Sequence, residues 1–359
     1  MSEPESPLGD LRKQIDAVDD EILRLLNRRA ELVMEVARVK KGEKLGFHVP
    51  NREREILERL AAQNTGPFPA DAVRTVFREI ISASVGLQAP MRVAFLGPKA
   101  TFTHLAAMQQ FGMSAELVPE SSIGAIFDDV EKGRTQYGVV PVENSTEGVV
   151  THTLDTFVDS DLKIGAEILL PISHDVLSRT GSLAGIQKVY SHPQALGQCR
   201  KWLAANLPGV SLVDVGSTAL AAQIAGGDPN AAAIASEFAG SLYDLKVVQD
   251  RIEDQAHNVT RFLVIGRDLT DRSGNDRTSI LFSVKDEPGV LFRMLEPFAR
   301  RGINLSKIES RPGKTKAWEY VFFVDLFGHV SDPDVAEAIE ELKTCCRFVK
   351  VLGSYPRAR

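Results

Sequence analysis

The sequence predicts a multidomain chain in three parts: an all-α module, a two-lobed α/β domain, and a small α+β domain of ferredoxin-like order. Three observations predict it. From Leu8 to Lys41 there is no Gly or Pro, and large apolar residues recur at helical spacing through Leu11, Ile15, Val18, Ile22, Leu25, Leu26, Val33 and Val36. From Arg92 the texture changes to short apolar runs, RVAFLG, YGVVPVEN, KVYSHP and SLVDVG, alternating with helical stretches. From Thr278 the pattern is strand, helix, strand, strand, helix, strand.

Composition narrows the classes of function. A chain of 359 residues exceeds one ordinary core. A net charge of −6 without a concentrated basic tail argues against nucleic acid, whose phosphates demand a positive surface. A small anionic metabolite needs only local cations. The polar start MSEPESPLGD has no signal-peptide core, and no apolar run approaches the roughly 20 residues of a membrane span, so the expectation is a cytoplasmic protein without a membrane partner. Cys199 and the adjacent Cys345 and Cys346 form neither a disulfide framework nor a Cys-x-x-Cys site, which predicts reduced thiols, no metal and no cofactor of that kind.

The first part reads as a long helix to Lys41, a second from Arg52 to Gln63 and a third from Asp71 to Gln88. Gly42, Gly46 and Pro50 separate the first two, and Gly66-Pro67-Phe68-Pro69 the last two. Three helices this thin have little core, and the long one exposes apolar surface unless a second copy covers it, which predicts a homodimer. At roughly 100° per residue, Arg29 and Lys40 fall near the middle of the apolar stripe and Arg12 at its edge. On the third helix Ser84 and Gln88 share the face of Val73, Val76, Phe77, Ile80 and Ile81, one turn apart. Arg52 and Glu53 flank the stripe of the second helix, Ile56, Leu57 and Leu60. Several cations converging with one carboxylate and two neutral donors leave net positive charge inside a bundle, which is costly without an anionic ligand.

These residues carry a family resemblance. DLRKQID, RRAEL-x-x-EVA-x-x-K, P-x-REREIL and IIS-x-S-V-x-x-Q resemble the all-helical, AroQ-type chorismate mutase module over nearly all of the first 90 residues. The resemblance implies a Claisen rearrangement of chorismate to prephenate that needs no nucleophile, metal or redox cofactor. Catalysis then comes from holding a compact conformer and stabilising charge on the ether oxygen. It implies that Arg12 from the partner subunit, with Arg29, holds carboxylates, that Lys40 and Gln88 donate to the ether oxygen, and that Arg52, Glu53 and Ser84 bind the ring side. Val49 stands where a well-known member has Asp.

In the central part, polar groups cluster where apolar strands end. Glu143, Asn144, Ser145 and Thr146 follow one strand. Ser191-His192-Pro193-Gln194 with Gln198, then Ser217-Thr218, then Asn258 with Thr260-Arg261-Phe262, follow others. Four such ends predict one polar cleft between two lobes. Ser121 and Ser217 are expected as helix N-caps. PVENS-x-x-G, SHPQAL-x-QC, STA-x-A and N-x-TRF together resemble prephenate dehydratase from about Arg92 to Asp268. That implies a two-lobed, periplasmic-binding-protein-like domain that eliminates water and carbon dioxide from prephenate to give phenylpyruvate. The reaction needs a proton donor for the departing hydroxyl and binding for two carboxylates. By resemblance Thr260 is the donor. Glu143, Asn144, Ser145, Ser191, Gln198, Ser217, Thr218 and Phe262 then position the substrate, and Arg261 partners a carboxylate. His104 and His192 are the alternative acids. Ala100 replaces the Gly usual in the family's GP-x-G-T-F stretch.

DRSGNDR reads as a polar linker before the last part, whose helices run from Val290 to Arg301 and from Asp334 to Cys345. Asp286-Glu287-Pro288-Gly289-Val290-Leu291 opens the first of these, and Gly289 lets backbone N–H groups approach a carboxylate at the helix N-terminus. With IESRP at Ile308 to Pro312, it resembles the ACT regulatory domain joined to prephenate dehydratases. This implies phenylalanine as effector between two domains of a dimer, contacted by Gly289, Val290, Leu291, Asn304, Glu309 and Ser310. The expected boundaries are 1–90, 91–269 and 277–359. Two other accounts compete with a bifunctional enzyme: a dehydratase whose helical part serves only dimerisation, and a non-enzymatic amino-acid sensor that binds without turnover.

Overall fold

The computed structural model describes residues 7–43, 50–88, 90–284, 287–312 and 320–358, with the side chains at 40–43, 50 and 51 excepted. The side chain of Lys40, and Val49 and Asp286 altogether, therefore lie outside the described residues. The chain divides into two compact units, one holding residues 1–91 and 111–116 and the other the remainder.

The helical unit contains α1 (Pro7–Glu43), α2 (Pro50–Gln63) and α3 (Ala70–Gln88), close to the expected bounds. Helix α3 packs against both others. Along α1 the stripe is largely uncovered within one protomer: Leu11, Ile15, Val18, Ile22, Leu25 and Val36 are each at least 50% exposed. The 111–116 segment is tied to α3 by Ser82, whose Oγ donates to the Phe111 carbonyl at 2.6 Å and accepts from the Ser114 N–H at 3.3 Å.

The second unit begins with β1 (Arg92–Leu96), α4 (Phe102–Phe111), β2 (Glu116–Glu120), α5 (Ile123–Glu131), β3 (Tyr137–Asn144), β4 (Gly148–Val149), α6 (Thr151–Asp159) and β5 (Lys163–Pro171). A second lobe follows: β6 (Asp175–Ser178), β7 (Lys188–Ser191), α7 (Pro193–Gln198), α8 (Arg200–Asn206), β8 (Ser211–Asp214), α9 (Thr218–Gly226), β9 (Ala231–Ala235), α10 (Glu237–Leu242) and β10 (Lys246–Gln249). Strand β11 (Val259–Gly266) then returns to the first lobe, giving sheets of order β2-β1-β3-β11-β5, with β4 on β3, and β10-β6-β9-β7-β8. The predicted two lobes are present. Ser217 caps α9 as expected, accepting from the Leu220 N–H at 3.0 Å. The cap of α5 is Ser122 and not Ser121: burial of Ile123, Ile126, Phe127 and Val130 fixes where that helix starts, so Ser122 Oγ is the group that reaches the Ala125 N–H.

The last part is β12 (Asp276–Val284), α11 (Val290–Arg300), β13 (Leu305–Pro312), β14 (Tyr320–Phe327), α12 (Pro333–Cys345) and β15 (Phe348–Pro356), an antiparallel sheet of order β13-β14-β12-β15. This is the predicted ferredoxin-like arrangement. DRSGNDR is a built turn and not a loose linker, because the Asp276 carboxylate accepts from the Ser273 and Gly274 N–H groups at 2.9 Å and its last two residues already belong to β12. One face of the sheet is covered by α11 and α12 through Met294, Phe298, Val335, Ile339 and Leu342. The other buries Leu281, Val321, Phe323, Leu352 and Tyr355 in the same core as Phe127, Phe157, Ile164, Leu263 and Ile265 of the first lobe. The first lobe and the last part therefore share one hydrophobic interior.

Gly353 sits where β15 meets β5, and a Cβ there would lie 2.2 Å from the Ile164 carbonyl oxygen and 2.8 Å from its nitrogen. Neither backbone atom can rotate away. Gly353→Ala is expected to destabilise the second unit by about 2 kcal/mol or more, the upper part of the overpacking range. A urea melt checks this, and an unchanged midpoint contradicts it.

Candidate functional site

In the helical unit the structure brings Arg29 and Ser84 together. Arg29 Nη1 donates to Ser84 Oγ at 2.5 Å, and that hydroxyl donates onward to the Ile80 carbonyl at 2.6 Å. Burial pulls the Arg29 guanidinium below the ordinary arginine value, and no carboxylate pairs with it among the described residues. One turn along α3, the Gln88 Oε1 is buried without a hydrogen-bond partner among the described residues. Native interiors rarely leave such groups unsatisfied unless they serve something outside the chain's own bonding. Arg52 is exposed and paired with Glu55 at 3.1 Å, and Glu53 is half-buried. Arg12 is exposed and lies about 25 Å from Arg29 along α1 at ~1.5 Å per residue, too far to join the same cluster within one protomer.

In the two-lobed domain a directed chain of hydrogen bonds runs from the end of β3 to the second lobe. Asn144 Oδ1 accepts from the Thr146 and Glu147 N–H groups, both at 3.0 Å, which fixes the amide orientation. Its Nδ2 therefore donates to Asn258 Oδ1 at 2.7 Å and to Thr260 Oγ1 at 2.8 Å. Asn258 Nδ2 donates to Gln198 Oε1 at 3.0 Å, and Gln198 Nε2 donates to Glu147 Oε1 at 3.0 Å. Because Gln198 Oε1 is an acceptor, His174 Nε2, 2.9 Å away, carries the proton. Burial holds His174 below the usual histidine value, so the ring stays neutral, and its Nδ1 is buried without a partner among the described residues. Ser145 closes the near end, donating to the His257 carbonyl at 3.1 Å and accepting from the Val259 N–H at 2.9 Å.

Chemically, the chain presents Thr260 with its oxygen already bound by an amide N–H. Its own O–H is left to donate elsewhere. The structure thus brings Asn144, Ser145, Gln198, Asn258 and Thr260 together, joined by Glu147 and His174. The sequence alone does not single out His174. Its signal is a histidine in the short link between β5 and β6, three residues past the end of an apolar strand.

Other expected residues are engaged differently. Ser191 is fully buried and donates to the Ile234 carbonyl at 2.7 Å. Ser217 is occupied as the α9 cap, and Thr218 is the first residue of that helix. His104 Nδ1 accepts from the Ala100 N–H at 3.0 Å, its ring stacks on Phe95, and burial, then the Lys99 charge, lower its proton affinity. His192 Nδ1 accepts from the Gln194 N–H at 3.4 Å. Arg261 does not face the polar chain at all. Its Nε lies 2.8 Å from Glu167, its Nη1 2.5 Å from Asp325 and its Nη2 2.9 Å from the Tyr355 hydroxyl. Its neighbours Thr260 and Phe262 cannot share that direction, since successive strand residues alternate faces; Phe262 is buried in the core and Glu143 is paired with Lys307 at 2.8 Å.

In the last part, Gly289 caps α11 with φ +77°, a left-handed backbone that glycine adopts without strain, and Val290 begins the helix. Leu291 is exposed. On β13, half-buried and exposed residues alternate, which puts Glu309 on the inward face and Ser310 on the open one. The Asn304 carbonyl accepts from the Phe327 N–H at 3.0 Å.

Comparison with known proteins decides the family. The model for prephenate dehydratase matches residues 93–270, that for chorismate mutase type II residues 11–89, and that for the ACT domain residues 278–344. The bifunctional chorismate mutase/prephenate dehydratase of Aquifex aeolicus is 52% identical over 355 residues, covering 98% of each chain. The chain belongs to the bifunctional chorismate mutase/prephenate dehydratase family. The Pseudomonas aeruginosa enzyme of the same description is 43% identical, again over 98% of both chains. Among solved structures, prephenate dehydratase from Arthrobacter aurescens in complex with L-Phe superposes with a TM-score of 0.70 at 37% identity, covering 75% of this chain and 90% of that one. Full-length relatives bearing both names favour two enzymatic domains over a helical part that serves dimerisation alone. Among the described residues no helix is long and apolar enough to cross a membrane.

Ala100 now has a physical reading. It holds φ +67° and is buried, in the turn whose N–H binds His104. A left-handed backbone costs an L-residue with a Cβ about 1 kcal/mol or more, and glycine would hold this turn without that cost. Ala100→Gly is expected to raise the urea midpoint, corresponding to about 1 kcal/mol; a lowered midpoint contradicts that reading.

Proposed function

We propose that this chain converts chorismate to phenylpyruvate in two steps at two separate sites, under feedback inhibition by phenylalanine. The observation that carries the reading is the pairing of a partly buried Arg29, without a carboxylate partner among the described residues, in the bundle with a directed hydrogen-bond chain at Thr260 in the two-lobed domain.

In the first step the ether C–O bond of chorismate breaks as a C–C bond forms, and negative charge grows on the ether oxygen. Arg29, steered by Ser84, holds a substrate carboxylate. Lys40 and Gln88 donate to the ether oxygen, and Arg52 and Glu53 bind the ring side. Arg12 reaches this chamber from a second copy, which also covers the exposed stripe of α1. An apolar face of this length is otherwise a liability, so the active form is a homodimer. Cations placed where charge develops in a water-poor site supply most of the needed stabilisation.

In the second step the prephenate carboxylate leaves as carbon dioxide, its bonding electrons aromatise the ring, and the ring hydroxyl departs as water. Thr260 gives that hydroxyl its proton. Asn144 Nδ2 donates to Thr260 Oγ1 and stabilises the alkoxide until solvent returns the proton. Asn258, Gln198 and Ser145 hold Asn144 and the strand end in place, and the α9 N-terminus at Ser217 and Thr218 takes a substrate carboxylate through its free N–H groups. Arg261 is not a substrate ligand in this account. Phenylalanine binds the ACT part through Gly289, Val290, Leu291, Asn304 and Ser310, with Glu309 below. The setting of the enzyme is the cytoplasm.

The test is product analysis with chorismate alone. Wild-type chain should accumulate phenylpyruvate. Arg29→Ala should lose mutase turnover by at least about 100-fold, the scale of one preorganised donor, while keeping dehydration of added prephenate. Thr260→Ala should do the reverse and Thr260→Ser should recover most of the loss. Equal loss of both activities in either alanine variant contradicts separate sites.

A further inference from the structure

The two strands that carry the polar chain also carry the charges that meet the regulatory sheet. In the β3–β11 register Thr260 lies opposite Asn144, and Arg261 lies opposite Glu143. The first pair is joined at 2.8 Å on the cleft side. The second is bound to the last part of the chain: Arg261 to Asp325, and Glu143 Oε2 to Lys307 Nζ at 2.8 Å, with Arg261 Nη1 4.0 Å from the same carboxylate. Lys307 sits opposite Asp325 in the β13–β14 register, so one charge cluster spans four strands, β3, β11, β13 and β14. Two and three residues further along β13 come Glu309 and Ser310, and the next residue, Arg311, reaches Asp155 of the first lobe at 3.5 Å.

We propose that Lys307, acting through Glu143 and Arg261, is a positioning residue that carries the state of β13 to Thr260 and Asn144. The inference rests on phenylalanine binding at the ACT part. Charged hydrogen bonds in a half-buried setting resist stretching, so a shift of β13 is passed to Glu143 and not absorbed in the gap. Asn144 is the next residue on the same strand. A displacement of about 1 Å there is enough to spoil an aligned donor and lower turnover by about 100-fold. The shared core beneath this cluster leaves the two parts no independent sliding surface.

The experiment uses full-length wild type, Lys307→Met and Lys307→Arg, with phenylalanine binding measured by calorimetry and prephenate dehydration followed with and without saturating phenylalanine. Lys307→Met should bind phenylalanine within threefold of wild type and keep its effector-free kcat within threefold. It should nonetheless retain at least ten times the residual activity of wild type at saturating effector. Lys307→Arg should be inhibited like wild type, and Lys307→Gln repeats the measurement should the methionine variant not fold. Inhibition of Lys307→Met as complete as in wild type overturns the proposal. So does joint loss of binding and inhibition, which makes Lys307 part of the effector site. A wild-type chain that binds no phenylalanine overturns the effector reading itself, and calorimetry on wild type alone reveals that before any variant is compared.

Discussion

The Arg261 guanidinium, enclosed between two sheets, is the constraint on which the second unit depends. Taking such a cation out of water costs several kcal/mol, and burial alone pushes it toward losing its proton. The Tyr355 hydroxyl, Asp325 and Glu167 more than offset that tendency and hold it firmly charged. Asp325, itself enclosed, would be raised by burial but is held below the usual carboxylate range by Arg261 and by Ser279. Glu167 belongs to β5 of the first lobe and Asp325 to β14 of the regulatory sheet, so neither partner can leave without stranding a charge. The regulatory sheet is thereby a structural wall of the lobe that holds Thr260.

The same strand pair faces two ways, and this explains what sequence reading recovered and what it did not. The three helices of the first part, the strand runs after Arg92 and the ferredoxin-like order after Thr278 are legible because each rests on local periodicity, although α1 runs through Gly42 to Glu43 and Pro50 opens α2. TRF reads in sequence as one substrate-facing motif, yet Thr260 and Arg261 must point to opposite faces of β11. The period of a strand, applied residue by residue, already divides them. Position at strand ends groups Ser191 and Ser217 with the cleft, but a carbonyl and a helix N-terminus claim their hydroxyls. The place of His174 and the direction of each bond in the Asn144–Asn258–Gln198–His174 chain are beyond local pattern, since its members come from segments that meet only once the two lobes are folded.

The two sites ask for different physics and are built from different materials. The bundle offers cations on long helices, and the apolar stripe of α1 beside them is largely uncovered within one protomer. The cleft offers neutral amides and hydroxyls whose directions are set by backbone N–H groups, suited to moving one proton without building a fixed charge. Neither site among the described residues gathers acidic, histidine or cysteine side chains that could hold a metal ion.

Hydrogen–deuterium exchange on the full chain, with and without phenylalanine, tests most directly whether the regulatory sheet governs the catalytic strand ends. The account predicts altered protection at residues 143–147 and 257–261 together with 305–312. A change confined to 287–312, with the ends of β3 and β11 untouched, would contradict it.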